Sequence, residues 1–155
     1  MRRRAHEAMG FAVGFIVGST TIDCLILGVF GALGALVPDL DIGLMHRKLL
    51  HNLVMPTLVL TILYAFLLGR GPLPSALGAA LSFYLGWVSH VLADALTVAG
   101  VSIAFPISRR RVAAKLFKSG DRLGDALLYS LALLATSTKI YLLLGAGTLS
   151  LSPPF

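Results

Sequence analysis

Charge is scarce in this chain. Asp, Glu, Lys and Arg together make up 13% of 155 residues, where a soluble domain carries roughly 25%. That shortage excludes a surface that mostly faces water. Cysteine is nearly absent as well. Cys24, inside an apolar run, is the single one, which excludes a disulfide framework and a thiolate zinc site; it reads as a small buried hydrophobe. Aromatic residues do not interleave with basic ones, so a base-stacking nucleic-acid surface is excluded. No stretch alternates with period two, which argues against strands. Repeats and long polar linkers are missing too, so residues 1–155 read as one domain.

What is present is hydrophobicity. Apolar residues make up 57% of the chain, and the mean hydropathy is +0.87. Charges and prolines divide the sequence into apolar segments: Met9–Thr20, Ile22–Val37, Leu53–Leu68, Ser75–Thr97 and Leu123–Thr136, the last extending past Lys139 towards Leu144. About 20 such residues cross a hydrocarbon core as a helix. The third to fifth segments are expected to cross alone or nearly so. The first two are short, and form a thin or partly re-entrant hairpin or one bent helix. Gly14, Gly18, Gly28, Gly31 and Gly34 would let helices approach closely in lipid. The expected fold is an all-α polytopic transmembrane bundle of four to five membrane helices. Arg2, Arg3 and Arg4 before an apolar stretch suggest a signal peptide, but His6, Glu7 and equally hydrophobic later segments favour a retained first helix.

The net charge of +6 lies in short clusters between apolar runs, a pattern suited to anionic lipid headgroups. If the first two segments form a hairpin, eleven basic residues share one side: Arg2, Arg3, Arg4, Arg47, Lys48, Arg109, Arg110, Arg111, Lys115, Lys118 and Arg122. Arg70 and Lys139, two, remain on the other. The bias predicts a cell-membrane protein with its N-terminus and both long loops in the cytoplasm.

All four histidines fall on that same side, and three of the seven acidic residues, Asp39, Asp41 and Asp94, join them as candidates. Pro38 disfavours helix at Val37, so Asp39 and Asp41 sit in the turn beyond a helix C-terminus, where the dipole repels carboxylates and a cation would compensate. His46 and His51 are five apart and cannot share a face of one regular helix. His46 is expected in the loop and His51 in the first turn of the third helix. His90 and Asp94 are four apart and point the same way; together they offer nitrogen and oxygen to one cation, though the pair would also be satisfied by a mutual hydrogen bond. His6 opens the first segment and alone says little.

The order of these elements is specific. His6 precedes a Gly-rich helix, followed by Val37–Pro38–Asp39–Leu40–Asp41, His46–Arg47, Leu50–His51–Asn52, Gly86–Trp87–Val88–Ser89–His90 and Asp94–Ala95–Leu96–Thr97 with Gly100. From His6 to about Asp125 the chain resembles the YdjM-like family of predicted membrane-bound metal-dependent hydrolases, and is more distantly similar to zinc-dependent phospholipase C. The resemblance implies a ligand set of His6, Asp39, Asp41, His46, His51, His90 and Asp94, holding one or two divalent ions, with zinc the first choice. The Gly-Ser-x-x-Glu found in the last loop of many members is replaced here by Ser119–Gly120–Asp121 and Gly124–Asp125, which makes Asp125 a candidate substitute.

With no serine or cysteine nucleophile beside a base, metal-activated water is the natural attacker. Asp39 or Asp41 would take the bridging, catalytic role, and Arg47 would hold a phosphate. A site at headgroup depth implies a phospholipid or another small amphiphilic phosphoester as substrate. Two rivals stand beside this reading: a non-catalytic metal-binding or metal-transporting membrane protein, and a proton-responsive network without metal. A carrier would hold its ligands near the bilayer midplane, whereas these crowd one edge.

Overall fold

A computed structural model describes residues 1–42, 49–68 and 74–150, excluding the side chains of 41–42, 67–68, 74–75 and 146–150. The described residues form five helices: α1 (Arg3–Val17), α2 (Thr21–Leu36), α3 (Val54–Leu68), α4 (Pro74–Ala95) and α5 (Arg122–Ser150), with a 3-10 turn over Val37–Ile42 after α2. None of the described residues forms a named strand; two isolated bridges, Thr97 with Phe117 and Val101 with Val112, tie down the segment after α4.

The α1–α2 hairpin is two antiparallel helices rather than one bent helix. Its turn is fixed by α2's start, where the Thr20 hydroxyl accepts from the Asp23 amide and the Asp23 carboxylate accepts from the Thr20 amide, a reciprocal capping box. The two helices then run together through glycine. A side chain at Gly31 would strike the Gly10 carbonyl on α1, and one at Gly86 on α4 would strike the Gly31 carbonyl. Gly31 is therefore the crossing point of α1, α2 and α4, where backbones meet without a side-chain layer. Cys24 is fully buried beside Gly18, at the turn between α1 and α2.

Helix lengths revise the expected crossings. Thr21–Leu40, Ala76–Ala95 and Arg122–Gly145 are long and apolar enough to cross a membrane. The second segment, expected to be short, gains its length because the 3-10 turn continues it beyond Pro38. The third, expected to cross almost alone, is shorter: Val54–Phe66 is apolar, but α3 has only 15 residues, roughly 22 Å at 1.5 Å per residue. α1 also has 15 residues and starts at Arg3, six residues before the apolar run. The last segment does pass Lys139 without a break.

α1 packs on α2, α4 and α5, and α3 packs chiefly on α4. Across the membrane-facing surface, Ile62, Phe66, Leu133 and Leu144 stay exposed, as lipid rather than water would allow.

Candidate metal site

Alternation of helix direction brings the start of α1, the end of α2, the start of α3, the end of α4 and the start of α5 to one end of the bundle. His6 lies in the first turns of α1, and Asp39 in the turn that leaves α2. His51 lies three residues before α3, and Asp94 is the penultimate residue of α4. His51 was expected inside the helix. Asn52 moves the boundary, because its side-chain oxygen accepts from the Met55 amide at 2.9 Å and caps α3 after His51. Asn52 also donates to the Leu49 carbonyl, and the Trp87 indole donates to the Leu50 carbonyl at 2.8 Å. The Trp87 bond ties the His51 segment to α4, and the Asn52 bonds fix its turn into α3.

The side chains converge on Asp94. His6 Nε2 stands 3.3 Å from its Oδ1, while His51 Nε2 and His90 Nε2 stand 3.7 and 3.6 Å from its Oδ2. Asp39 Oδ1 approaches His90 Nε2 to 3.8 Å. The Met1 nitrogen lies 3.7 Å from Asp94 Oδ1. The His6 ring stacks on His90 with centroids 3.9 Å apart, and the His51 ring meets His90 edge-on at 5.3 Å. All three imidazoles are buried, whereas the carboxylates of Asp94 and Asp39 keep 18% and 22% of their surface. The cluster is therefore closed on its histidine side and reachable on its carboxylate side.

His90 is the most constrained member of the cluster. Its Nδ1 lies 2.7 Å from the Ala35 carbonyl. A carbonyl can only accept, so Nδ1 carries the proton, and in the neutral ring Nε2 presents a lone pair. That nitrogen is buried without a hydrogen-bond partner among the described residues, although two carboxylates lie within 3.8 Å. A lone pair facing carboxylates is repulsive, and either a proton on Nε2 or a cation held between the groups relieves it. Support of the distal nitrogen by a backbone carbonyl is also the arrangement that orients metal-ligating histidines. His6 lacks it: its Nδ1 is buried and unpartnered among the described residues, and the ring is placed by the Asp94 contact and by stacking on His90.

The separations fit one ion. Ligand atoms about 2.0–2.1 Å from a tetrahedral zinc stand roughly 3.3 Å from one another, and the contacts here run from 3.3 to 3.8 Å. Two ligand triads are geometrically able to hold a metal: His6, His90 and Asp94, and Asp39, His51 and His90. Electrostatics agrees. Asp94 and Asp39 lie at the C-terminal ends of α4 and α2, where helix dipoles oppose negative charge. The residues present fit a divalent cation.

A family model described as YdjM inner membrane protein matches residues 1–152. The chain belongs to the YdjM inner membrane protein family. No curated protein and no solved structure matches it. Membership and the three long apolar helices together make this a membrane protein.

Of the family-like ligand set, the structure brings together His6, Asp39, His51, His90 and Asp94. The Asp41 side chain, His46 and Arg47 lie outside the described residues. Asp125 does not join the cluster. Its Oδ1 accepts from the Arg2 amide at 2.9 Å, and its Oδ2 lies 3.4 Å from Arg2 Nε. It thus caps α1 from the first turn of α5 and holds the His6 helix in place. Sequence reasoning missed this use because the partners are 123 residues apart. It also missed the Ala35 carbonyl, since a backbone acceptor leaves no residue-type signal; Gly31 and Gly34, which let α2 approach α4, were the only hint.

Proposed function

We propose that this YdjM family member is a membrane-embedded metal-dependent hydrolase acting on a phosphoester of an amphiphile. The observation that carries the reading is His90 Nε2, a buried lone pair directed at two carboxylates and flanked by two further imidazoles. His6, His51, His90 and Asp94 would hold the ion, with Asp39 completing the set from the more open side. His90 has one free nitrogen, so the two possible triads share a single ligand atom and the described residues supply one ion. A second would draw on Asp41 and His46. A divalent ion, when bound, supplies Lewis acidity for a phosphoryl oxygen and acidifies water.

The protein's own residues do the remaining work. The Ala35 carbonyl keeps His90 in one tautomer and one orientation. Asp39, partly exposed, is positioned to take the proton of an attacking water, and the buried imidazole wall excludes competing solvent. Arg47 is the proposed phosphate-binding cation. The proposed orientation puts this end of the bundle in the cytoplasm, following the eleven-to-two basic bias.

Full-length protein purified in detergent should carry about one equivalent of zinc or a similar ion by elemental analysis, and should hydrolyse members of a panel of short-chain phospholipids and nitrophenyl phosphoesters. Asp39→Asn should lower turnover by at least about 100-fold, the upper part of the range for a general base. One bound equivalent without turnover of any phosphoester would leave a metal-binding or metal-moving protein. No bound metal would leave a proton-linked polar network.

A further inference from the structure

The segment between α4 and α5 carries a second surface, separate from the metal cluster. Residues 105–122 contain six basic side chains, Arg109, Arg110, Arg111, Lys115, Lys118 and Arg122, and one acidic residue, Asp121. All six cations are exposed, and none of them forms an ion pair among the described residues. Asp121, whose Oδ1 accepts from the Leu123 amide at 3.1 Å and caps α5, offsets one of the six and leaves the segment strongly positive. Large apolar side chains stand exposed among the same cations: Ile107 at 83%, Leu116 at 63% and Leu123 at 72%.

Backbone hydrogen bonds tie the middle of this surface to the end of α4. Ala114 and Leu116 donate their amides to the Ala95 and Leu96 carbonyls at 2.8 and 2.9 Å, and Val98 donates to Phe117 at 2.8 Å. Leu53, at the head of α3, donates to Ile103 at 2.9 Å. Lys115, between two of these anchored residues, has φ +58°. A lysine keeps that left-handed conformation only where its neighbours are fixed on both sides. Gly100, at φ +61°, supplies the other sharp turn that folds the segment back on α4.

We propose that the 105–122 segment is a docking surface for the anionic phospholipid headgroups of the leaflet at the metal-cluster end of the bundle. Charge complementarity identifies the occupant. Unpaired arginines match phosphate oxygens, and exposed Ile107, Leu116 and Leu123 among them suit the boundary between headgroups and acyl chains. A soluble acidic partner would match the arginines but not the apolar side chains. The surface follows the ends of two helices long enough to cross a membrane, Ala76–Ala95 and Arg122–Gly145, so it lies at the depth where headgroups are. It requires neither bound metal nor hydrolysis.

The test uses the full-length protein in mixed micelles of dodecyl maltoside with either dioleoylphosphatidylglycerol or dioleoylphosphatidylcholine, with retained lipid counted after gel filtration. Phosphatidylglycerol should be retained in preference to phosphatidylcholine, and the preference should shrink in high salt. Joint Arg109→Gln, Arg110→Gln and Arg111→Gln substitution should weaken retention by about fivefold per arginine at most. The charge-preserving Arg109→Lys, Arg110→Lys, Arg111→Lys variant should keep most of it. Ile107→Ser should weaken retention of both lipids while keeping the preference. Helical content and the thermal midpoint, followed in parallel, show whether a variant has folded. Equal retention of the two lipids by the wild-type chain would overturn the proposal, as would an unchanged preference in a folded glutamine variant. Free phosphate at millimolar concentration displacing the lipid completely would also overturn it, because the apolar contacts would then contribute nothing.

Discussion

Two aspartates at opposite ends of the bundle show how differently one side chain can be used. Asp23 stands at the start of α2, where the helix dipole favours negative charge. Its carboxylate accepts from Ser19 at 2.9 Å and from the Thr20 amide at 3.3 Å, all within four residues. Asp94 stands at the end of α4, where the dipole disfavours it, and its neighbours come from α1, from the segment before α3 and from its own helix. The first carboxylate completes a local cap and requires nothing further. The second organises an assembly of buried imidazoles in which His90 Nε2 has no hydrogen-bond partner among the described residues. A carboxylate satisfied within its own cap contributes to stability; one gathered with buried imidazoles from three segments forms a group that could hold a cation.

The largest effect that would sharpen the contrast is at the cluster. His90→Ala or Asp94→Asn should abolish stoichiometric metal binding by elemental analysis. Chelator should then lower the thermal midpoint of the wild type but not of the variants. Metal present at 100 times its dissociation constant stabilises by about 2.7 kcal/mol. A chelator-insensitive wild type would break the comparison, because Asp94 would then be no more demanding than Asp23.

An intermediate effect is expected at the crossing of α1, α2 and α4. Gly31→Leu should destabilise by about 1–3 kcal/mol or more, the cost of overpacking, since the added side chain meets the Gly10 carbonyl and the backbone of Gly14. Because this packing carries His6 and Ala35 to His90, metal affinity should fall along with the thermal midpoint. A folded variant with unchanged metal content would show that the cluster does not depend on that crossing.

The smallest effect should come from the other aspartate. Asp23→Ala removes half of a capping box and should cost about 1 kcal/mol, read as a modest loss of thermal stability with metal content unchanged. Loss of metal in this variant would show that the two ends are coupled.

Much of this was legible in the residues, for identifiable reasons. Hydropathy marked α4 and α5, because a helix in lipid must be apolar along its whole length. Pro38 placed Asp39 in a turn beyond α2, and the four-residue spacing put His90 and Asp94 on one face. Where local rules competed, the reading slipped. Asn52 captured the α3 cap and left His51 outside the helix, and Asp125, a candidate ligand by position, was taken by Arg2.

Composition and periodicity determined the class of this protein: all-helical, membrane-embedded, with histidines and aspartates grouped towards one side. These properties follow from solvent preference and from helical geometry over a few residues, so they are written locally. Only the tertiary structure decided that His6, His51, His90, Asp39 and Asp94 are linked by contacts of 3.3 to 3.8 Å, that the Ala35 carbonyl fixes the His90 tautomer, and that Asp125 belongs to α1's cap. Each of those depends on a helix crossing at Gly31 or on a contact more than 30 residues apart in the chain. Such contacts arise from packing whole helices against one another, and no local pattern of residue types encodes them.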